Sequence, residues 1–566
     1  MKKILKYGLC VCLAGMACAS CSDFFETESD AVLKTEGQVY QDETTARAGL
    51  FGLLQGLQTI GDSYVITGEL RGDLMDVTEN SPQVLRDIRE FNAAADNPYL
   101  KEREYYALIN NCNYYIHRLD TTVARRETEG GMAVKVLRPY MAQAKTIRAW
   151  CYLQLCLDYG RVKYTDEAFL DVSRPVEMET LDLDGLLPVL IHDLEGVLPW
   201  MVSDDTPLSS GWSQGNADPG FSGSVRYGDY AANQLLLPVR YVLGELYLWN
   251  RDFQKAAQTY YDLIYLNCLT VSGWANSYNE STLLPSSTPW ASQFSGFSYG
   301  DILTAIPFTD EYAANSSALL RMAGSEYVLA PSQALIDLFA GQTYTINTKP
   351  VVGDLRGEYG TYEYETETVG GSEVERPYID KYGYMVTGGN AYVALCRTAG
   401  VYLRYAEAIN RLGKHKLAFY GVLKYGLSQE TFEVYEALLS DELTGEPWLA
   451  FGVTSGGAGL FDINTGLHGR GCGLQHLQLD PTYVIEGCAT AEDSLLFVED
   501  RLVDEYALET ALEGGRFHDL MRVARYRNDP SYLAEKVAAK FPAGEREAVA
   551  ARLRSQSAWY LPSTVD

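Results

Sequence analysis

Three glutamates near the carboxyl end of the chain have a spacing that could support acid–base chemistry. Glu505, Glu509 and Glu513 recur every four residues, which places them on one face of a helix. Arg516 and Arg522 follow after a Gly-Gly break. Catalysis by paired carboxylates needs one raised and one ordinary pKa inside a cleft. A regular ladder of acids beside arginines is instead typical of ion pairing, so we predict a structural charge network here.

Metal and phosphate chemistry have no sequence motif in this chain. There is no His-Glu-x-x-His motif, and Gly413-Lys414 is followed by histidine rather than by the Ser or Thr of a phosphate-binding loop. The six histidines are scattered. The 75 acidic residues would allow a carboxylate pair of the glycosidase type, but position singles out no pair. We predict no enzyme activity and no cofactor, and we leave structural calcium in an acidic loop open.

The cysteines do not predict a disulfide scaffold. Four of the eleven lie within the first 21 residues, and the remaining seven show no CxxC spacing. Most of these seven lie in apolar helical patterns, where a thiol behaves as a small hydrophobic group. Cys472 and Cys488 are the one pair that we consider for a bridge.

The first residues have the pattern of a lipoprotein signal peptide. Three lysines precede an apolar run at 7–17, which is shorter than the roughly 20 residues that cross a bilayer. Cys21, after Ala19-Ser20, is the expected lipidation site, and Cys18 is the alternative. Ordinary signal-peptidase cleavage near Ala19 is a second alternative. Acyl chains on Cys21 would hold the protein on a membrane.

Composition describes a large acidic body. The chain has 566 residues, is 47% hydrophobic and carries a formal charge of −29. Without residues 1–20 it keeps 43 basic and 75 acidic residues, a charge of −32. Such a body repels phosphate backbones and anionic headgroups, which argues against nucleic acid as a partner and makes the lipid the source of membrane attachment.

Helical periodicity supplies the elements that position these residues. Apolar stripes predict helices at 105–119, 141–160, 234–249 and 259–266. Gly244 and Ala256, twelve residues apart across a turn, match a tetratricopeptide helix pair that Tyr260 closes. A second copy places Ala406 and Ala418 at the same spacing. Because the copies are not in tandem, long insertions must interrupt the superhelix.

The insertions differ from the helices in amino-acid composition. Residues 202–230, 270–304 and 452–490 are rich in glycine and small polar residues, and 341–395 alternates in a way that predicts hairpins or extended loops. Long loops on a rigid scaffold commonly face ligands or partners.

Several motifs together resemble one family. The stretch 513–522 fits the signature E-G-x-R-x-x-D-L-x-R, with Phe517 where tryptophan is common. Weaker matches are the C-S-D-F start at 21–24, the helix at 144–160, the helix at 397–408 and the proline motif at 559–562. On these residues the chain resembles the SusD/RagB family of outer-membrane lipoproteins.

The resemblance implies a fold and a role. The expected fold is mostly α, with degenerate tetratricopeptide-type hairpins in a superhelical scaffold, long irregular insertions and a few short strands. The expected division is a signal peptide at 1–20, an N-terminal region at 21–320 and a C-terminal region at 321–566. The expected role is capture of an oligosaccharide at the cell surface for a TonB-dependent SusC-type barrel. An oligopeptide ligand, a surface hydrolase and a structural adhesin are the alternatives.

Aromatic residues in the loops are the candidate binding groups. The C–H faces of sugars pack on aromatic rings, whereas aromatics inside these helices are expected in the core. The candidates are Trp212, Trp274, Tyr278 and Trp290. The tripeptide Arg71-Gly72-Asp73 spells an adhesion motif but is expected only to open a loop.

Overall fold

The structure is a computed structural model that describes most of the chain after residue 38. The described residues are 39–126, 131, 133–170, 173, 178–202, 226–227, 230–266, 278–279, 284–285, 290, 294, 301–308, 317–346, 348–358, 360–382, 392–449, 465–472 and 483–565. The predicted anchor Cys21 lies outside them.

Long helices form the N-terminal part and follow the predicted stripes closely. Asp42 caps the first helix by accepting the N–H of Thr45, and Gly160, at φ 78°, ends the fourth. The helices predicted at 105–119 and 141–160 are confirmed. The five helices are α1 Glu43–Arg71, α2 Gln83–Arg89, α3 Glu102–Arg118, α4 Arg138–Tyr159 and α5 Leu183–Glu195, followed by a 3₁₀ turn at Leu198–Val202.

The next two predicted helices are confirmed, but each begins at a different residue from the one predicted. The helix predicted at 234–249 is interrupted by Pro238, which lacks an N–H and disfavours helix in the residue before it. A 3₁₀ turn at Ala232–Leu235 therefore precedes α6, Val239–Trp249. The following helix, α7, spans Phe253–Leu266 and begins six residues before the predicted 259.

The C-terminal part is also mostly helical. Its helices are α8 Ala318–Ala323, α9 Gln333–Ala340, α10 Thr398–Arg411, a π-helix at Leu417–Tyr425, α11 Gln429–Val434, α12 Glu436–Leu439, α13 Ala491–Thr510, α14 Arg516–Arg527, α15 Pro530–Ala538 and α16 Arg546–Leu553. Short 3₁₀ turns lie at Pro447–Leu449, His468–Cys472 and Gln556–Trp559.

Strands in the described residues are short and pair two by two, always antiparallel. The hairpins predicted within 341–395 are confirmed by β12 with β13 and by β14 with β15. The pairs in chain order are β1 Met75–Val77 with β11 Leu329–Pro331, β2 Ala124–Arg126 with β3 Ala133–Lys135, β4 Arg161–Tyr164 with β5 Glu179–Asp182, β6 Arg226–Tyr227 with β7 Tyr230–Ala231, β8 Tyr278–Asn279 with β9 Leu284–Pro285, β10 Ile302–Pro307 with β16 Tyr392–Arg397, β12 Thr343–Ile346 with β13 Lys349–Val352, and β14 Tyr362–Val369 with β15 Ser372–Ile379.

Neighbouring helices stack into a superhelix, as predicted. Helix α3 packs on α4, α4 on α5, α5 on α6 and α6 on α7. Helix α7 then packs on α10, so the two tetratricopeptide-like hairpins meet although more than a hundred residues separate them. Helix α14 packs back on α1. The fold is mostly α, with short antiparallel strand pairs.

The small residues predicted at the hairpin contacts are buried there. A Cβ added to Gly244 would fall 2.5 Å from the Tyr260 ring, which shows how closely α6 and α7 approach. Ala406 and Ala418 are both fully buried, and Gly413 turns the chain between them at φ 80°. The sequence reading of both hairpins is confirmed in these features.

One large hydrophobic core runs through the described chain, beside a small second cluster of Ala142, Val197, Met201 and Val239. Buried side chains from Ala46 to Trp559 form a single connected hydrophobic cluster that draws on both predicted regions. The boundary placed between 320 and 321 falls inside α8. No helix among the described residues is long and apolar enough to cross a bilayer.

Candidate ligand-binding site

Trp290 is the one predicted binding residue whose side chain the structure describes. Trp212 and Trp274 lie outside the described residues, and Tyr278 lies in β8 without a described side chain. These three stay predictions.

The Trp290 ring is buried. Its side chain is 1% exposed, its indole N–H donates to the Thr361 hydroxyl at 3.2 Å, and its ring meets Phe294 edge-on at 5.0 Å. A Cβ on Gly360 would fall 2.5 Å from the indole. The expectation of an exposed stacking ring at Trp290 is therefore wrong, because this ring fills an internal space beside a glycine.

The predicted charge network around the three glutamates is confirmed. Arg356 donates to Glu505 at 2.6 Å and to Glu509 at 2.8 Å. Glu509 also accepts from Arg470 at 2.7 Å and from Arg397 at 3.2 Å. The carboxylates of Glu505 and Glu509 are 1% and 0% exposed, so the network lies in the core rather than on a solvated face.

The arginines predicted to serve this network have other partners. Arg516 forms a two-point ion pair with Asp73, and Arg522 forms one with Glu407. Both lie on α14, which begins after the Gly-Gly break and is a separate helix from α13. The cations that face the ladder come instead from β16 and from loops remote in sequence.

Electrostatics exclude Glu509 as a catalytic acid. Burial alone would raise its pKa, but the guanidinium groups of Arg470, Arg397 and Arg356 together lower it to about 2. The carboxylate therefore stays ionised at physiological pH and has no proton to donate. Its role is to neutralise three buried arginines.

The adhesion tripeptide is also buried. Arg71 is 1% exposed and pairs with Asp158, while Asp73 is 6% exposed and pairs with Arg516. Asp158 additionally accepts from His518 at 3.0 Å. Arg71 and Asp73 therefore join helices and are not presented to a receptor.

The considered disulfide is not formed. Cys488 is a free, half-buried thiol that donates to the carbonyl of Glu486. The thiol of Cys472 donates to the carbonyl of Gly469 at 3.1 Å. The pairing of Cys472 with Cys488 is therefore wrong.

A cleft between α3 and the loop after β4 has the composition of a ligand site. Its first cavity has a volume of about 270 Å³. The lining residues are Arg103, Tyr106, Ile109, Asn110, Asn113, Tyr152, Lys163, Thr165, Phe169, Met178 and Val565. Phe169 and Met178 are 38% and 40% exposed. Apolar walls with a few placed polar groups are typical of small-molecule sites.

A second cavity continues the first on its acidic side. It has a volume of about 480 Å³ and shares Thr165 and Met178 with the first. Its other lining residues are Tyr164, Asp166, Glu167 and Glu179. We call the two cavities together the α3 cleft.

Side-chain hydrogen bonds from α3 and α4 fix the loop that presents Phe169. Asn110 donates to the Phe169 carbonyl at 3.3 Å and accepts the Phe169 N–H at 2.6 Å. Asn113 donates to the carbonyls of Thr165 and Glu167. The Tyr152 hydroxyl donates to the Thr165 carbonyl and accepts the Thr165 N–H. These bonds hold the backbone at Thr165, Glu167 and Phe169, and the Phe169 ring lies at the surface of the cleft.

Sequence reasoning missed this cleft. The available signal is the apolar pair Phe169-Leu170, flanked by Asp166-Glu167 and Asp171. Leu170 is 63% exposed, which is unusual for a large apolar side chain beside an exposed ring.

Another cavity, of about 410 Å³, lies between α1 and β10 and is less suited to a polar ligand. Its polar side chains are Gln55 and Gln58, and Gln58 already donates to the carbonyl of Pro307. Apolar groups such as Phe51 and Ile306 form the rest of the wall.

Two Gly-x-Ser-x-Gly pentapeptides bear on hydrolysis, and both lie outside the described residues. They occupy 211–215 and 296–300. This pentapeptide acts as a nucleophile elbow only at a sharp strand-to-helix turn. Among the described residues, no group of His, Cys, Asp and Glu has the arrangement of a metal site.

Known proteins resemble this chain in structure. No protein-family model matches it, and no curated protein does. A laminarin-binding SusD-like protein superposes with a TM-score of 0.52 at 16% identity, covering 93% of this chain and 100% of that one. A SusD superfamily protein from Bacteroides vulgatus gives 0.57 at 14% identity, covering 90% and 92%. Surface glycan-binding protein A from Bacteroides uniformis gives 0.54 at 17% identity, covering 92% and 96%. The chain therefore has the SusD fold.

Proposed function

We propose that this protein is a non-catalytic binder of oligosaccharides, held at the outer membrane by lipid on Cys21. In this role it passes its ligand to a TonB-dependent barrel of the SusC type. The observation that carries the proposal is the SusD fold over nearly the whole chain, shared with proteins described as glycan-binding and laminarin-binding. The predicted lipidation signal is consistent with it.

The α3 cleft supplies chemistry that suits a sugar chain. The half-exposed Phe169 ring offers an apolar face for pyranose C–H groups. Arg103 and Lys163 offer donors to hydroxyl oxygens, and Asp166, Glu167 and Glu179 offer acceptors to hydroxyl protons. An oligopeptide would instead use backbone hydrogen bonds, commonly along an open sheet edge.

Calorimetry on a ligand panel tests the proposal. The panel holds neutral hexasaccharides of β-1,3-glucan, α-1,4-glucan and β-1,4-xylan, together with hexapeptides. We expect one of the saccharides to bind intact, and Phe169→Ala to weaken that binding by roughly 2- to 150-fold, the range for loss of a buried aromatic anchor. Tyr364→Ala is the matched control, because Tyr364 is 39% exposed and lies on the β14–β15 hairpin.

Each other outcome has a definite meaning. Binding of peptides alone would replace the ligand class, and binding of nothing would overturn the proposal. Unchanged affinity in Phe169→Ala would move the site, and Trp212→Ala and Trp274→Ala in the same titration would locate it in the loops. New chain ends after incubation would show hydrolysis, and Ser213→Ala and Ser298→Ala would then identify the nucleophile.

A further inference from the structure

A short segment near the carboxyl end of the chain forms one wall of the α3 cleft. Val565 lines the first cavity together with Arg103, in the first turn of α3. The two residues that precede it, Ser563 and Thr564, form hydrogen bonds to Glu102, which is the first residue of the same helix. We call residues 563–565 the strap.

One buried carboxylate holds the strap in place. Glu102 is 4% exposed, and its two oxygens accept three hydrogen bonds. These come from the Ser563 hydroxyl at 2.7 Å, the Thr564 N–H at 2.6 Å and the Thr564 hydroxyl at 3.0 Å. Hydrogen bonds to a charged, buried acceptor are among the stronger ones, so the strap is a fixed wall.

The segment before the strap is fixed too. The Leu561 N–H donates to the carbonyl of Asp158 at 2.8 Å, and the Tyr560 ring packs on Gly160, where a Cβ would fall 3.1 Å away. The strap therefore has a defined path from the end of α4 to the start of α3.

The cleft runs away from the strap along α3. Its lining residues Arg103, Tyr106, Asn110 and Asn113 follow one helical stripe that is roughly 15 Å long at 1.5 Å per residue. Asn113 donates hydrogen bonds to the carbonyls of Thr165 and Glu167, and Thr165 also lines the acidic second cavity. The two ends of the cleft therefore differ, with the strap at one and the larger cavity at the other.

We propose that the strap makes this end of the cleft blind, so that the site takes the terminal unit of an oligosaccharide and not an internal run. The inference rests on the proposed function. Arg103 supports it, since it lines the same cavity as Val565 and its guanidinium has no hydrogen-bond or ion-pair partner among the residues that the structure describes. A terminal unit has a free hydroxyl group where an internal unit has a glycosidic bond. A guanidinium has five N–H donors that can bind hydroxyl oxygens.

Stoichiometry on long chains tests the inference with the unchanged protein. The probes are a hexasaccharide and a long-chain fraction of each neutral glycan in the panel, plus the cyclic form of the α-1,4-glucan. We expect one protein to bind per long chain regardless of its length, and no binding to the cyclic form. Several proteins per chain, or cyclic binding as tight as linear binding, would overturn the inference and leave glycan binding intact.

Opening the blind end tests the strap itself. Glu102→Ala removes the acceptor of all three bonds, and Val565→Gly removes the wall while leaving those bonds. In both variants we expect more than one protein per long chain, with the affinity for the hexasaccharide reduced severalfold. Glu442→Ala is the control, because Glu442 is also buried and also holds backbone N–H groups, of Lys416 and Leu417, away from the cleft.

The two failures are distinguishable. If no saccharide binds, or if Phe169→Ala changes nothing, the glycan site is wrong and the inference falls with it. If saccharides bind through Phe169 but at several proteins per chain in the wild type, only the blind end is wrong. Should Glu102→Ala fail to fold, the wild-type stoichiometry and Val565→Gly still decide.

Discussion

The carboxylate ladder shows what residue spacing can and cannot predict. A four-residue repeat predicts that side chains share a helix face, and Glu505 and Glu509 do share one on α13. Glu513 does not, because α13 ends at Thr510. Their cations come from Arg356, Arg397 and Arg470, which spacing along the chain could not identify because tertiary packing brings them there. The same limit applies to Trp290, whose burial depends on Gly360, seventy positions further along.

Glu69 is expected to make stability depend on pH. It is fully buried, one oxygen accepts the Gly514 N–H at 2.7 Å, and the other has no hydrogen-bond partner within the described part of the chain. Burial raises the pKa of Glu69 to about 7, against the lowering effects of the Gly514 N–H and Arg516. Because the folded pKa lies above the ordinary 4.5, this contribution is complete below about pH 4.5 and is lost as the pH rises through 7.

Urea unfolding across this pH range measures the effect. We expect the Glu69 contribution to the free energy of unfolding to fall by roughly 3 kcal/mol between about pH 4.5 and 8, and Glu69→Gln to remove that slope. Glu545→Gln, at an exposed position, should keep it. An unchanged slope in Glu69→Gln would contradict the prediction.

At the scale of elements, periodicity predicted the helices well and their boundaries less well. The stripes at 105–119 and 141–160 became α3 and α4 because polar and apolar residues alternate there with the helical period. Pro238 shows where period alone fails, since a proline inside an apolar stripe splits it. The α3 cleft escaped prediction because its walls come from two helices, two strands, a loop and residue 565.

Glycine substitutions test the close packing of the first hairpin. Gly244→Leu should overpack the Tyr260 ring and destabilise the protein by about 1–3 kcal/mol. Gly52 is the matched control, because it also lies in a helix but has nothing within 4 Å of an added Cβ. Gly52→Ala should stabilise by up to about 1 kcal/mol through helix propensity, whereas Gly244→Ala should destabilise. Equal thermal melts for the two alanine variants would contradict the tight contact.

At the scale of the whole molecule, the family resemblance led to the correct fold. The specific match at 513–522 covers Arg516 and Arg522, which tie α14 to Asp73 on one side and to Glu407 on the other. Periodicity does not identify residues that join distant elements in this way, and here the resemblance of 513–522 to a family signature pointed to them. Ligand sites in loops lack such a constraint, which explains why the fold was predictable and the cleft was not.

Membrane attachment is expected to depend on one residue. Cys21→Ala should release the protein from membranes and abolish palmitate labelling, because acylation supplies the attachment and the acidic body supplies none. Cys18→Ala is the control and should stay bound and labelled. Labelling that survives in Cys21→Ala but is lost in Cys18→Ala would move the anchor to Cys18.

Charge should restrict which oligosaccharides the protein accepts. The chain after residue 20 carries −32, and Asp166, Glu167 and Glu179 line the open end of the α3 cleft. A ligand that carries carboxylates is therefore repelled at long range by the net charge of the protein and at short range by the acids at the open end of the cleft. We expect a uronate oligomer to bind at least tenfold more weakly than a neutral oligomer of equal length and linkage at low ionic strength. The gap should narrow with added salt, because the screening length falls from about 30 Å at 0.01 M to about 8 Å at 0.15 M. At low ionic strength, Asp166→Asn combined with Glu167→Gln should also reduce the difference in affinity between the uronate and the neutral oligomer. If neither salt nor these substitutions changes that difference, shape and not charge excludes the uronate.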